Sequence, residues 1–208
     1  MAFPNAYVST DELPRRSRLR RTLYCAGAAG LGYLGAVILL LSIFWHQYDP
    51  VTQAASDYGV GAFALEMNSG FLVAGAGVLT LAAALLTIQE RWQVKAGALL
   101  LVPSGMALVT NAFFPTDVEG ATRTFHGLVH GLGGAVFFFT APAGLLLISW
   151  RFGRGWFGTP AVAVALAFAS LVIPPLQGID AGGLGERVLI LVVFSAGIAT
   201  ALRMMREA

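Results

Sequence analysis

Six apolar stretches, at about residues 22–45, 60–88, 96–114, 124–149, 160–178 and 186–203, leave this chain few folds to choose from. Each is near the roughly 20 residues that a helix needs to cross about 30 Å of hydrocarbon. Strands with open edges would strand their backbone donors and acceptors in lipid, so the stretches are read as helices. The expected fold is all-α: a polytopic integral membrane protein built as a six-transmembrane-helix bundle. Of the 208 residues, 57% are hydrophobic and 12% charged, against roughly 25% charged in a soluble domain. Pro103, Pro142 and Pro174-Pro175 fall within or near the ends of spans and are expected to kink or terminate helices three, four and five.

Charge placement sets the expected topology. Residues 1–21 form a polar tail ending in five arginines, Arg15, Arg16, Arg18, Arg20 and Arg21. Placed directly before an apolar helix, this run reads as a cytoplasmic topology anchor and not as a nucleic-acid tail. The first span is too long for a signal-peptide core. With the N-terminus inside, those five residues join Arg91, Lys95, Arg151, Arg154, Arg203 and Arg206 on the cytoplasmic side. Only Arg123 and Arg187 are left outside, so both termini are expected in the cytoplasm, with 22–203 as the membrane domain and 204–208 as a short tail. The lone Cys25 allows no internal disulfide. The expected surroundings are the lipid bilayer and a protein partner within it, with no nucleic acid.

The same topology gathers chemistry on the outer side: His46, Asp49, Asp57, Glu66, Asp117, Glu119, Arg123, His126, His130, Asp180, Glu186 and Arg187. The stretch from Asn111 to Gly131 is the densest part. His126 and His130 are spaced i, i+4, on one helix face about one turn apart. Gly127 and Gly131 form a small-xxx-small pair that suits close approach of another helix. His126, His130, Asp117 and Glu66 are the candidate catalytic residues, and Arg123, Arg187, Asp57 and Ser56 the candidate substrate- or lipid-binding residues. His126 and His130 could chelate one metal, zinc being the natural choice, with a carboxylate from another helix. The helix lacks the glutamate after the first histidine that a zincin helix carries.

Each residue also has a plainer reading. His46 stands in Phe44-Trp45-His46-Gln47-Tyr48, which suits an interfacial aromatic belt. Asp57 could cap helix two, Asp117 could order a turn, and Thr122 or Thr124 could cap helix four. Arg187 could form a structural ion pair with Glu66 or Glu186. His126 and His130 could serve as hydrogen-bonding groups between helices.

Phe113-Phe-Pro-Thr-Asp117, followed by Thr124-Phe-His-Gly-Leu-Val-His130, together with Ser56-Asp57-Tyr58-Gly59, resembles bacterial and archaeal membrane proteins grouped as domain of unknown function 998. The resemblance covers about 22–203 and implies about six helices, a prokaryotic plasma membrane and no assigned activity. A more distant similarity is to ceramidase-like and adiponectin-receptor-like membrane hydrolases, which bind zinc through three histidines. That would cast His126, His130 and Ser56-Asp57 as site residues, although the only other histidine here is His46 and the core is one helix shorter.

Three functions follow as expectations. The first is an accessory protein that binds a membrane partner or a lipid through the outer polar cluster. The second is a metal-dependent hydrolase acting there on a lipid-like substrate. The third, a haem protein, would need His46 with His126 or His130, because two histidines one turn apart cannot be opposite axial ligands. Helices three and five have almost no ionisable residue, which argues against a proton path through the bundle.

Overall fold

The computed structural model describes residues 12–45, 47–87, 91–118, 120–153, 161–169 and 177–207. They form α1 (Glu12–Phe44), a 3₁₀ turn (Ala55–Gly59), α2 (Ala64–Leu86), α3 (Trp92–Phe113), α4 (Phe125–Trp150), α5 (161–169) and α6 (Gly182–Glu207). Among the described residues there is no strand. Among the described residues five helices are long and apolar enough to cross a membrane: Ser17–Phe44 of α1, and α2, α3, α4 and α6. This is the make-up of a multi-pass membrane protein. The span expected at about 160–178 is described over 161–169, which is helical, and at 177–178, which form a turn; the rest of it, with Pro174-Pro175, lies outside the described residues.

The helix limits differ from those expected in ways the residues explain. α1 begins at Glu12, so the arginine run lies on helix and not in a tail; Arg and Leu favour helix, and a helix can continue beyond the hydrocarbon. α2 begins at Ala64, because the residues before it form the 3₁₀ turn and a bend at Gly61, whose φ of +90° suits glycine. α3 and α4 run through Pro103 and Pro142 without ending. Beside Pro103, Ser104 Oγ donates to Leu100 O at 3.0 Å and lies 2.6 Å from Thr140 Oγ1, tying α3 to α4 inside the bundle.

Consecutive helices meet backbone to backbone at glycines. A Cβ on Gly30 of α1 would lie 2.7 Å from Val73 O of α2; one on Gly75 of α2, 2.8 Å from Gly105 O of α3; one on Gly97 of α3, 2.5 Å from Gly144 O of α4. Close van der Waals packing of this kind holds helices together in lipid, where burial of apolar surface gives no drive for association. Leu31, Leu34, Ile38 and Leu41 turn one stripe of α1 inward, while Leu39, Leu40, Ile43 and Phe44 stay exposed on the other face.

The two ends of the bundle differ. At one, Arg151 after α4 pairs with Glu207 of α6 at 3.0 Å, and Arg203 lies over the Phe152 ring. At the other lie the loops after α1 and α3 and the start of α6. This loop end holds the candidate residues.

Candidate functional site

The loop after α1 is clasped to the first turn of α6. Gly183 and Leu184 donate their backbone N–H groups to Thr52 O (3.2 Å) and Val51 O (2.9 Å), so loop carbonyls satisfy donors that a helix start leaves open. Glu186 Oε2 accepts from Ala55 N at 2.8 Å. Arg187, 7% exposed, donates through Nη1 to Pro50 O, Gln53 O and Gly183 O at 3.0, 2.6 and 3.1 Å, and through Nε to Ser42 Oγ at 3.2 Å. Its guanidinium also lies 5.6 Å from the Tyr58 ring centre. A Cβ on Gly183 would collide with Gln53 O, so the clasp needs glycine there. Arg187 therefore joins α1, the loop and α6 through backbone carbonyls. Among the described residues its hydrogen bonds go to these groups, and neither Glu66 nor Glu186 is an ion-pair partner at salt-bridge distance.

A second device shapes the corner between α3 and α4. Asp117 Oδ1 accepts from Thr124 Oγ1 at 2.6 Å, and Asp117 Oδ2 accepts from Thr124 N at 3.0 Å. Thr124 Oγ1 accepts in turn from Gly127 N at 3.1 Å and is the N-cap of α4. The Thr124 hydroxyl, then its N–H, hold the Asp117 carboxyl below its ordinary range, with Arg123 and His126 contributing less. A Cβ on Gly127 would run into that carboxylate, whereas one on Gly131 would meet nothing within 4 Å. The Gly127/Gly131 pair therefore seats a carboxylate and leaves an open face, and among the described residues no other helix crosses it. Asp117 and Thr124 take the plainer roles expected of them. Asp57 does not cap helix two, whose N-cap is Phe63.

The two histidines part company. His130 is buried, and its Nδ1–H donates to Phe114 O, at the end of α3, across 2.9 Å. Its ring meets Phe71 edge-on at 5.8 Å. His126 is exposed, with its ring 5.3 Å from that of Phe114. Glu66 is exposed in the first turn of α2, where its charge suits the helix dipole. His46 and Glu119 lie outside the described residues.

Three spaces open around these groups. Inside the bundle, Ser56, Asn111, His130 and Glu186 share a cavity of about 40 Å³ with Phe71 and Phe137; this is room for a few waters at most. Asn111 Oδ1 is buried there without a hydrogen-bond partner among the described residues. A second cavity, of about 280 Å³, is lined by Gln47, Tyr48, Gln53, Asp57, Asp117 and Val118. A third, an open groove of about 440 Å³, is lined by Thr116, Asp117, Arg123, Gly127, Leu128, Gly131 and Leu132.

A family model described as "Protein of unknown function (DUF998)" matches residues 26–203. The chain belongs to the DUF998 family. No curated protein and no solved structure matches it. The short motifs that carried the resemblance have structural work in this DUF998 chain. Asp117 of Phe-Pro-Thr-Asp anchors the cap of α4, and His130 secures the end of α3. The likeness to ceramidase-like hydrolases is not upheld: His130 is held to a backbone carbonyl while His126 packs outside it. Among the described residues, no three His, Cys, Asp or Glu side chains lie close enough together to hold a metal. Sequence reasoning overlooked Asn111 and Ser42. Asn111 is the lone amide among the apolar residues ending α3, and that isolation was the available signal.

Proposed function

We propose that this DUF998 protein is a lipid-binding accessory protein that takes an anionic amphiphile in the groove beside α4. The observation that carries this reading is the open groove itself: Arg123 is an exposed cation at its rim, and Gly131, Leu128 and Leu132 line it with a smooth apolar wall. A guanidinium recognises phosphate or carboxylate through paired hydrogen bonds. Gly131 lets an acyl chain lie against the helix backbone. Its volume suits a headgroup and the first carbons of a chain, whereas the interior cavity does not.

The chain has six spans on this reading, with both termini cytoplasmic and the groove in the outer leaflet. Support comes from the two ends of the bundle. α4 finishes beside Glu207, and α6 starts beside the loop after α1, at the opposite end, which supports one more crossing between them. A multi-pass membrane partner would dock around the same rim.

The test is thermal stability in maltoside micelles. Anionic phosphatidylglycerol raises the melting midpoint in a concentration-dependent way, because a ligand that binds only the folded state stabilises it by mass action. Neutral lipid does so far less, and Arg123→Gln removes the difference. Equal stabilisation of wild type and variant would reject the groove.

A second reading, a hydrolase, is favoured by one observation: His130 and Glu186 line the same water-sized cavity. His130 Nδ1 is engaged, which leaves Nε2 of the neutral ring as the base. Hydrolysis of a lipid ester by the wild type, lost in His130→Gln with folding intact, would move the assignment to that reading.

A further inference from the structure

We propose that the pocket formed by Trp45, Tyr48, Tyr58 and Phe63, where the loop after α1 meets α2, is a binding site for a quaternary ammonium group. These side chains belong to neither the groove nor the interior cavity. The pocket holds about 200 Å³, and Gln47, Val60, Gly61 and Ala62 complete its wall. Four of the eight described residues that line it are aromatic.

The rings are fixed by contacts with each other. Trp45 meets Phe63 edge to face with centres 4.5 Å apart, and Tyr48 lies 5.1 Å from Tyr58. An interfacial belt would point such rings outward one by one. Here Tyr58 is fully buried, and the other three are half-buried around a shared space. The left-handed turn at Gly61 keeps a side chain away from the Tyr48 hydroxyl: a Cβ there would come no nearer than 4.0 Å to it.

The chemistry selects the guest. Aromatic faces are electron-rich and attract a cation brought within about 6 Å of their centres. Among the described residues lining the pocket none carries a charge, so a guest with N–H donors would find few acceptors among them, Gln47 and the tyrosine hydroxyls included. A primary ammonium would leave donors unsatisfied there. A trimethylammonium group has none to satisfy and presents a broad, weakly hydrated surface to the rings. Tyr58 already faces the Arg187 guanidinium, so Trp45, Tyr48 and Phe63 supply the free ring surface.

Charge beyond the pocket agrees. Gln47, Tyr48 and Val60 also line the adjoining cavity, whose wall carries Asp57 and Asp117. Asp49 lies in the same loop, held ionised below its ordinary range first by the Val51 N–H and then by the Thr52 hydroxyl. The opposing cations are Arg187, behind Tyr58, and Arg123, across the Asp117 loop. The guest could be free choline or the choline headgroup of a lipid; both carry the same group.

The probe is choline chloride, followed by saturation-transfer NMR of its methyl protons on the full chain, in maltoside micelles and in nanodiscs of phosphatidylglycerol or phosphatidylcholine. Saturable transfer is expected in micelles and in phosphatidylglycerol, displaced by tetramethylammonium and at least about tenfold less by ethanolamine. Trp45→Ala weakens binding about tenfold or more. Because Trp45 also supports Phe63, Tyr48→Ala and Tyr48→Phe form the second test: the first weakens binding and the second, which keeps the ring, does not. Loss of the free-choline signal in phosphatidylcholine nanodiscs assigns the site to a lipid headgroup; its persistence assigns it to a soluble ligand. Arg123→Gln does not weaken choline binding, whereas it removes the anionic preference of the groove, so this site and the groove stand or fall separately. No saturable transfer in micelles or phosphatidylglycerol, or transfer that Tyr48→Ala does not weaken in a normally melting protein, overturns the proposal.

Discussion

Replacing Arg187 with methionine separates a structural arginine from a headgroup-binding one. Methionine keeps much of the apolar stem but loses all four hydrogen bonds, to Pro50 O, Gln53 O, Gly183 O and Ser42 Oγ. Each buried carbonyl left without its partner costs about 1–3 kcal/mol. Gly183 O keeps the Arg187 backbone N–H as its partner within α6, so Pro50 O and Gln53 O at the low end give about 2 kcal/mol, the low end being apt because water can re-enter at a loop end. For a chain of this length that corresponds to a fall in melting midpoint on the order of 5 °C. Differential scanning fluorimetry in maltoside reads the midpoint, and hydrogen exchange reads the clasp itself. The amides of Gly183, Leu184 and Ala55, which bond across it, should exchange faster in Arg187→Met while those within α3 stay protected. Arg187→Lys restores part of the loss, since an ammonium reaches some of the carbonyls but lacks the planar fork. An unchanged midpoint with unchanged exchange would refute the reasoning. If that variant also lost anionic amphiphiles, Arg187 would be a ligand after all.

Three further outcomes follow from the same geometry. Thr124→Ala removes the N-cap of α4 and costs about 1 kcal/mol of stability, measured by denaturation in mixed micelles; Thr122→Ala, without that role, leaves stability unchanged. Gly97→Ala forces a methyl against Gly144 O and costs about 1–3 kcal/mol through overpacking, whereas Gly131→Ala, facing open space, does not. Acid should weaken the loop end. Asp49 and Asp117 both have folded pKa values below the ordinary one, so their contribution is fully present above the unfolded value of about 3.9 and is lost as pH falls through the folded values. A melting midpoint that drops below about pH 4, and drops less in Asp117→Asn, would show this.

Much of the architecture was legible because lipid imposes strict rules. Hydrocarbon thickness sets helix length, so α4 was placed to within a residue of its limits. The loops escaped such rules. Whether Arg187 would meet a carboxylate or three carbonyls depends on how residues 50–53 fold back over α6, and no periodicity encodes that path. Histidine spacing was misleading for a related reason. An i, i+4 pair shares a helix face, but His130 sits one turn deeper, where the end of α3 offers a carbonyl, while His126 stays outside. Gly127 was read as a helix-packing residue; its neighbour is the Asp117 carboxylate, brought there by a loop turn. Single polar residues in apolar helices, such as Asn111 and Ser104, were the under-read signals, since lipid makes each costly unless it has a place in the interior.

The central claim is an anionic amphiphile held beside α4 by Arg123, and native mass spectrometry tests it most directly. Protein released from nanodiscs containing equal phosphatidylglycerol and phosphatidylcholine should retain phosphatidylglycerol preferentially, and Arg123→Gln should abolish that preference while the protein melts normally. Equal retention of the two lipids by the wild type, or a preference that survives the substitution, would contradict the account.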